Sequence, residues 1–205
     1  MAEIINFETE NLDKIVQCFQ AGKVLAFPTD TVYGIGVSLK SREAIDKFYQ
    51  IKKRPLDKPS QILVSDNQML YEYVDKVSME TQNLIDHFWP GALTLIFNAS
   101  LAVPRIVTQD GTVGVRMPNY PLLQEVITRL GCPLVAGSAN FAGKPVPTSF
   151  ENIDSKLAKN LDGIISGLIL LNKESTVIDV RNSRLKLIRE GAISLQDIQT
   201  FAAIS

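Results

Sequence analysis

Residues 22–37 read Gly-Lys-Val-Leu-Ala-Phe-Pro-Thr-Asp-Thr-Val-Tyr-Gly-Ile-Gly-Val. Val24 to Phe27 is an apolar run of strand length, bounded by Gly22 and Pro28. It delivers Thr29, Asp30 and Thr31 to a turn. A helix then starts at Ser41, a good cap, with Glu43 in its first turn and Ala44, Ile45, Phe48 and Ile51 as its buried stripe. Pro55 stops it. A residue before proline avoids the helical region, so the helix ends near Lys52 or Lys53. Short hydroxyls and a carboxylate thus leave a strand end, and four cations (Lys52, Lys53, Arg54 and Lys58) sit at or just past a helix end. That combination points to an anionic ligand and to a strand–turn–helix fold.

Outward from this stretch, strands and helices are mixed. Leu12, Ile15, Val16 and Phe19 recur at helical spacing, and Gly22 stops them. Ile62–Val64, Ala92–Phe97, Thr112–Met117 and Pro133–Ala136 read as strands. Asp66 and Ser78 cap two further helices, and Pro121–Leu130 is a third, closed by Gly131. Ile153, Leu157 and Leu161 mark another, and Ser194 caps a short last one. Ser175–Val180 and Leu185–Arg189 form a hairpin around Asn182-Ser183. The expected fold class is α/β (α+β): one domain over residues 1–205, a twisted mixed sheet with flanking helices.

The 205 residues carry 21 basic and 22 acidic side chains, a net charge of −1. Bulk charge gives no reason for tight non-specific nucleic-acid binding, so any attraction for anions is local. The start lacks a signal-peptide pattern, and no apolar run nears the ~20 residues of a membrane helix. A cytoplasmic protein without membrane contact is expected, with Cys18 and Cys132 as reduced core thiols. His87 is the single histidine and lies beside Phe88 and Trp89. It reads as a packed residue, which disfavours a catalytic triad or a histidine zinc site. No P-loop is present, and Gly34-x-Gly36 lacks the third glycine of a dinucleotide fingerprint.

Taken singly, each candidate has an ordinary structural explanation. Cations at a helix end complement its dipole by only ~0.3–1 kcal/mol each. Thr29-Asp30-Thr31 and Ser138-Ala139-Asn140 suit capped turns, and Arg116 and Arg189 lie near strand ends, where solvated arginines are common. Their coincidence is what argues for function. Several apolar strands end in small polar or basic residues, as where strand ends meet over one cleft.

Seven motifs then fall in order: Phe-Pro-Thr-Asp-Thr-Val-Tyr-Gly from Phe27, Lys-Lys-Arg-Pro from Lys52 with Lys58-Pro59, Trp-Pro-Gly-Ala-Leu-Thr from Trp89, Val-Arg-Met-Pro from Val115, Gly-Ser-Ala-Asn from Gly137, Ser-Thr-Val-Ile-Asp from Ser175 and Ile-Arg-Glu-Gly from Ile188. From about Val24 to Gly191 the chain resembles the YrdC-like family, the threonylcarbamoyl-AMP synthases. The resemblance implies a twisted open sheet with a concave basic cleft. It also implies a nucleotidyltransferase reaction. L-Threonine and bicarbonate form a carbamate, which attacks the α-phosphate of ATP and releases pyrophosphate. The product passes to a tRNA threonylcarbamoyl transferase complex acting on adenosine 37.

Position by position, the resemblance makes Lys52 and Arg54 the catalytic cations facing the ATP phosphates. Lys58, Thr112, Ser138, Asn140 and Arg189 complete the ATP contacts. Thr31, Arg116 and Ser175 fall where L-threonine is held, with Arg116 suited to its carboxylate. Mg²⁺ would be held by phosphates and water rather than by a protein metal motif. Ala92 replaces a common second proline of Trp-Pro-Gly-Pro, and the chain resembles the short form without the C-terminal extra domain. Residues Gly143 to Pro147 have the composition of a lid. Two other readings compete: a non-catalytic tRNA- or double-stranded-RNA-binding translation or ribosome-maturation factor, using weak RNA binding on the same basic face, and a paralogue with a changed substrate.

Overall fold

The computed structural model describes residues 2–53, 60–108, 110–182 and 185–201. Its strands are β1 (Glu3–Asn6), β2 (Leu25–Phe27), β3 (Gly34–Ser38), β4 (Gln61–Leu63), β5 (Leu93–Asn98), β6 (Thr112–Arg116), β7 (Leu134–Ser138), β8 (Gly163–Ser166), β9 (Thr176–Asp179) and β10 (Lys186–Arg189). They form one mixed sheet in the order β1-β8-β2-β3-β7-β4-β6-β5-β9-β10. The helices are α1 (Leu12–Gln20), α2 (Arg42–Lys52), α3 (Asn67–Tyr73), α4 (Met79–Phe88), α5 (Pro121–Leu130), α6 (Ser155–Ala158) and α7 (Leu195–Gln199). This is the mixed α/β architecture that the pattern of strands, helices and hairpins implies.

The helix starts follow their caps. Ser41 accepts from the Ala44 amide at 3.2 Å, Asp66 from Met69 at 2.8 Å, Ser78 from Thr81 at 3.1 Å and Ser194 from Asp197 at 3.1 Å. One helix is shorter than its periodicity suggests. Ile153, Leu157 and Leu161 are all buried, yet only Ser155–Ala158 is helical and Ile153 is extended. Asp154 accepts from the Lys156 amide at 2.8 Å and so starts the helix after Ile153. The spacing reflects burial of a winding segment rather than one continuous helix.

Strands β1, β3 and β8 escape a sequence reading. β1 and β8 are four residues each and pair in parallel, Glu3 opposite Gly163, so their partner lies far along the chain. In β3, Gly34 and Gly36 break the β-branched run. Both have a packing reason, because a Cβ at Gly36 would lie 2.6 Å from the Val135 carbonyl oxygen and 3.2 Å from the Phe27 ring. His87 is exposed and stacks on Phe201 with ring centroids 3.7 Å apart, so the expectation of a packed residue is corrected: the ring lies on the surface against a neighbouring aromatic. Cys18 and Cys132 are buried free thiols. Among the described residues, no helix is long and apolar enough to cross a membrane.

Strand side chains alternate between the two faces of the sheet. On one face Ile35, Val37, Ile62, Val113, Val115, Val135 and Ile178 pack with Ile45 and Phe48 of α2, Leu84 and Ile85 of α4 and Leu157 of α6. On the other, Leu25, Phe27, Leu63, Leu134 and Ala136 are covered by Ile15 and Phe19 of α1 and by Leu123 and Ile127 of α5. That second cluster takes no residue from β5, β6, β9 or β10. In those strands the positions on this side include Thr94, Thr112, Gly114 and Arg116. Covering such groups with an apolar helix would leave them dehydrated without partners, which is costly. One half of one sheet face is therefore left without a helical cover.

Tyr33, from the stretch that opens the chain's second and third strands, ties this sheet together. Its buried hydroxyl donates to the Gly167 carbonyl at 2.8 Å and accepts from the Gly167 amide at 2.9 Å. Burial pushes its pKa up to about 12 from an ordinary 10, opposed in part by the Gly167 hydrogen bond. The folded state thus holds the phenolic proton more tightly than the unfolded chain. The stabilisation is complete below the unfolded value and is lost as pH rises from about 10 toward 12. Tyr33→Phe should lower the unfolding free energy by about 1–3 kcal/mol at neutral pH, because the Gly167 groups lose their partner. It should also flatten the stability profile across that alkaline window, which urea unfolding on either side of it would reveal.

Candidate active site

The uncovered half of the sheet carries a cavity of about 390 Å³. Gln61 of β4, Thr94 and Ile96 of β5, Thr112 and Gly114 of β6, Ser138 of β7, Val177 of β9 and Arg189 of β10 line it, with Ser60 and Glu174 from adjoining loops. The expectation of a cleft over strand ends is thereby corrected. Thr94 and Ile96, and Thr112 and Gly114, alternate along their strands, so the cleft lies across the sheet face. The reason is the partial helical cover, which leaves a face open rather than an edge.

At one side of this face stands a buried ion pair. Arg116 and Asp30 have side chains only 3% exposed. The guanidinium donates through Nη2 to Asp30 Oδ1, through Nη1 to Thr31 Oγ1 at 2.7 Å and through Nε to the Gly91 carbonyl at 2.9 Å. Burial lowers the pKa of Arg116, and the positive charge of Arg189 acts in the same direction, against the raising effect of Asp30. The turn at Thr29 is capped as expected: Thr29 Oγ1 accepts from the amides of Thr31 at 3.1 Å and Val32 at 3.3 Å and donates to the Val32 carbonyl at 2.7 Å. That turn also has a tertiary task, since it presents Asp30 and Thr31 to Arg116. Among the described residues, Asp30 Oδ2 and Ser60 Oγ are buried and have no hydrogen-bond partner.

Ser175 is bonded to two residues that line the cleft. Its hydroxyl lies 2.8 Å from Thr94 Oγ1, and Thr94 donates to Gln61 Oε1 at 3.2 Å. Arg189 donates through Nη2 to the Ser175 carbonyl at 2.9 Å and to its hydroxyl at 3.3 Å, and through Nη1 to Glu174 at 2.8 Å. The Ile-Arg-Glu-Gly motif ends at Gly191 because the backbone of Glu174 and Ser175 presses on it. A Cβ there would lie 2.3 Å from the Glu174 carbonyl oxygen.

On the opposite side, Lys52 is buried at the end of α2 rather than exposed there, and its ammonium donates to the Ser138 carbonyl. It also lines a second groove of about 940 Å³ with Lys47, Lys53, Lys144 and Lys156. Ser138 donates to Asn140 Oδ1 at 2.6 Å, and Asn140 donates to the Lys144 carbonyl at 2.5 Å. Asn140 therefore fixes the following loop, which is also held where the Tyr33 amide donates to the Pro147 carbonyl at 3.0 Å. Arg54 and Lys58 lie outside the described residues. Among the described residues, no group of three or more His, Cys, Asp or Glu side chains could hold a metal ion.

Thr112, Ser138 and Arg189 thus line one cavity. Ser175 is bonded to two of its lining residues, and Thr31 and Arg116 form the adjacent buried pair. Asp30, Gln61, Thr94 and Glu174 had no assigned role in the sequence reading. A usable signal existed for Thr94: a polar residue in the apolar strand Leu93–Asn98, closing one of the seven motifs. Gln61 and Glu174 carry no such mark, because single polar residues at strand starts and in loops are ordinary.

A protein-family model for Sua5/YciO/YrdC, described as telomere recombination, matches residues 17–191. The chain is 37% identical over 184 residues to a threonylcarbamoyl-AMP synthase of Bacillus subtilis (strain 168), covering 86% of this chain and 52% of that one. It is similar to the crystal structure of P. abyssi Sua5 complexed with L-threonine, with a TM-score of 0.92 at 33% identity over 98% of this chain and 62% of that one. E. coli YciO gives a TM-score of 0.88 at 26% identity over 97% and 100%. The chain therefore spans about half the length of the Bacillus relative.

Proposed function

This chain belongs to the Sua5/YciO/YrdC family, and from that premise we propose that it is an L-threonylcarbamoyladenylate synthase. L-Threonine and bicarbonate combine to a carbamate with loss of water. A carbamate oxygen attacks the α-phosphorus of ATP, and the bond to the leaving pyrophosphate breaks. The carbamate is its own nucleophile, so the protein needs no serine or histidine for that task. Its contribution is positioning and neutralisation of charge on the reacting phosphate.

The observation that carries this reading is the placement of two arginines. The charge of Arg189 is felt at Arg116, and the two are linked through backbone: Arg189 donates to the Ser175 carbonyl, the next residue's amide (Thr176) donates to the Ala92 carbonyl, and Arg116 donates to the adjoining Gly91 carbonyl. Two neighbouring guanidiniums suit two neighbouring anions, the carboxylate of the amino acid and the phosphates of the nucleotide. We assign Thr31, Arg116 and Ser175 to L-threonine. Thr112, Ser138, Asn140 and Arg189 are assigned to ATP, with Lys52, Arg54 and Lys58 on its phosphates. Mg²⁺ would enter as part of the ATP substrate, held by phosphate and water ligands, since the one carboxylate of the described lining, Glu174, is paired with Arg189. A tRNA threonylcarbamoyl transferase complex in the cytoplasm would consume the product.

The test is pyrophosphate release from ATP and bicarbonate with and without L-threonine, with L-serine as control. Threonine-dependent release is expected. Release that ignores the amino acid, or none from protein that still binds ATP, would favour a paralogue with a changed substrate. Within this reading, Arg189→Ala should lower kcat/KM for ATP by roughly 10- to 150-fold, the equivalent of one lost charge-assisted contact. Near-wild-type turnover at subsaturating ATP would remove Arg189 from the nucleotide site.

A further inference from the structure

The cleft hydroxyls are sorted by where their protons go. A serine or threonine hydroxyl has one proton to donate and two lone pairs. Thr94 Oγ1 donates its proton to Gln61 Oε1 at 3.2 Å. In the 2.8 Å contact between Thr94 and Ser175, the donor must then be Ser175. Ser175 has no second proton, and it already accepts from Arg189 Nη2 at 3.3 Å. Each hydroxyl of the pair has only a lone pair left to offer. Thr31 is in the same state. The Thr29 proton goes to the Val32 carbonyl, so Thr31 donates in the 2.9 Å contact with Thr29 and accepts from Arg116 at 2.7 Å.

An acceptor cannot bond a carboxylate or phosphate oxygen, and at 3% exposure each of these two hydroxyls needs a protonated partner for its remaining lone pair. The hydroxyl pair therefore faces a ligand group that carries a proton. We propose that Thr94, oriented by Gln61, is a positioning residue that fixes Ser175 as a hydrogen-bond acceptor, so that this pair selects an amino acid through its N–H or hydroxyl donor. The inference rests on the assignment of Ser175 to L-threonine above. It adds a division of labour: Arg116 serves the carboxylate, and Thr94 and Ser175 serve the protonated groups. It also gives a task to the threonine that closes the Trp-Pro-Gly-Ala-Leu-Thr motif. The shared chemistry, a ligand donor, exists in the amino acid as N–H and as the β-hydroxyl, and in ATP as the ribose hydroxyls.

Thr94→Val keeps the shape and removes the acceptor, which frees the Ser175 proton. The KM for L-threonine should rise about five- to tenfold, the scale of one lost neutral hydrogen bond and one misdirected proton, while the KM for ATP stays within about twofold. Thr94→Ser should restore the wild-type value. A purely structural role for Thr94 would move both substrates together. L-2-Aminobutyrate, which lacks only the hydroxyl, locates the donor by its inhibition constant. An unchanged constant in Thr94→Val assigns the β-hydroxyl, and a parallel rise assigns the N–H. Gln61→Leu, which lets the Thr94 proton turn back, should act in the same direction and serves if Thr94→Val does not fold. An unmoved KM for L-threonine in active protein, or a rise in the KM for ATP instead, overturns the inference alone. A wild-type protein that releases no pyrophosphate with L-threonine overturns the reading beneath it.

Discussion

Asp30→Ala should be less stable than the parent protein by about 3–5 kcal/mol in urea unfolding, because it strands a buried cation. Arg116 and its partner are each only 3% exposed, so little solvent is at hand to offset the lost carboxylate. Burial already lowers the proton affinity of Arg116, yet an arginine stays charged at any accessible pH. The Thr31 hydroxyl and the Gly91 carbonyl would remain as its acceptors. They are neutral dipoles and offset only part of a full charge. Asp30→Asn, which keeps an acceptor in place, should lose less. A double variant with Asp30→Leu and Arg116→Met should recover stability relative to Asp30→Ala, since it removes both charges and fills similar volume. An Asp30→Ala protein within about 1 kcal/mol of the parent would mean that water reaches this pair. Should the double variant instead be the least stable of the three, the pair contributes more than its desolvation costs.

On the synthase reading proposed above, Gly191→Ala is expected to abolish most of the activity while costing only modest stability. The added methyl would lie 2.3 Å from the Glu174 carbonyl oxygen and 2.4 Å from the Ser175 carbonyl carbon. Both are backbone atoms, so no side-chain rotation relieves the clash. One segment must move, and the two carry Arg189 on one side and Glu174 with Ser175 on the other. Overpacking of this kind costs about 1–3 kcal/mol of folding free energy. A displacement of about 1 Å between substrate-positioning groups costs on the order of 100-fold in rate. The expected result is therefore a roughly 100-fold fall in threonine-dependent pyrophosphate release from protein with near-native circular dichroism. Retained activity would show that the Ser175–Arg189 contact is dispensable. An unfolded variant would instead place the role of Gly191 in stability.

The strands and helices that the sequence marks most clearly are those whose signals are local. The caps at Ser41, Asp66, Ser78 and Ser194 each bond the amide three residues on, so four neighbouring residues contain the whole interaction. Pro121 and Gly131 frame α5 in the same way. Strands β1 and β8 hide because four residues give no period to count, and their pairing joins Glu3 to Gly163. The segment around Ile153 misleads because burial every four residues imitates a helix.

By itself the sequence determined the α/β class, the boundaries that caps, prolines and glycines mark and, through seven ordered motifs, the family. Those features depend on neighbours in the chain or on residue types in a fixed order. Only the tertiary structure decided that the cleft lies across a sheet face, because that follows from where α1 and α5 cease to cover it. It alone paired Asp30 with Arg116 and chained Gln61, Thr94, Ser175 and Arg189 together, over separations of up to 86 residues. A hydroxyl's type is written in the sequence. Whether it donates or accepts is set by partners that only folding brings within 3 Å or so.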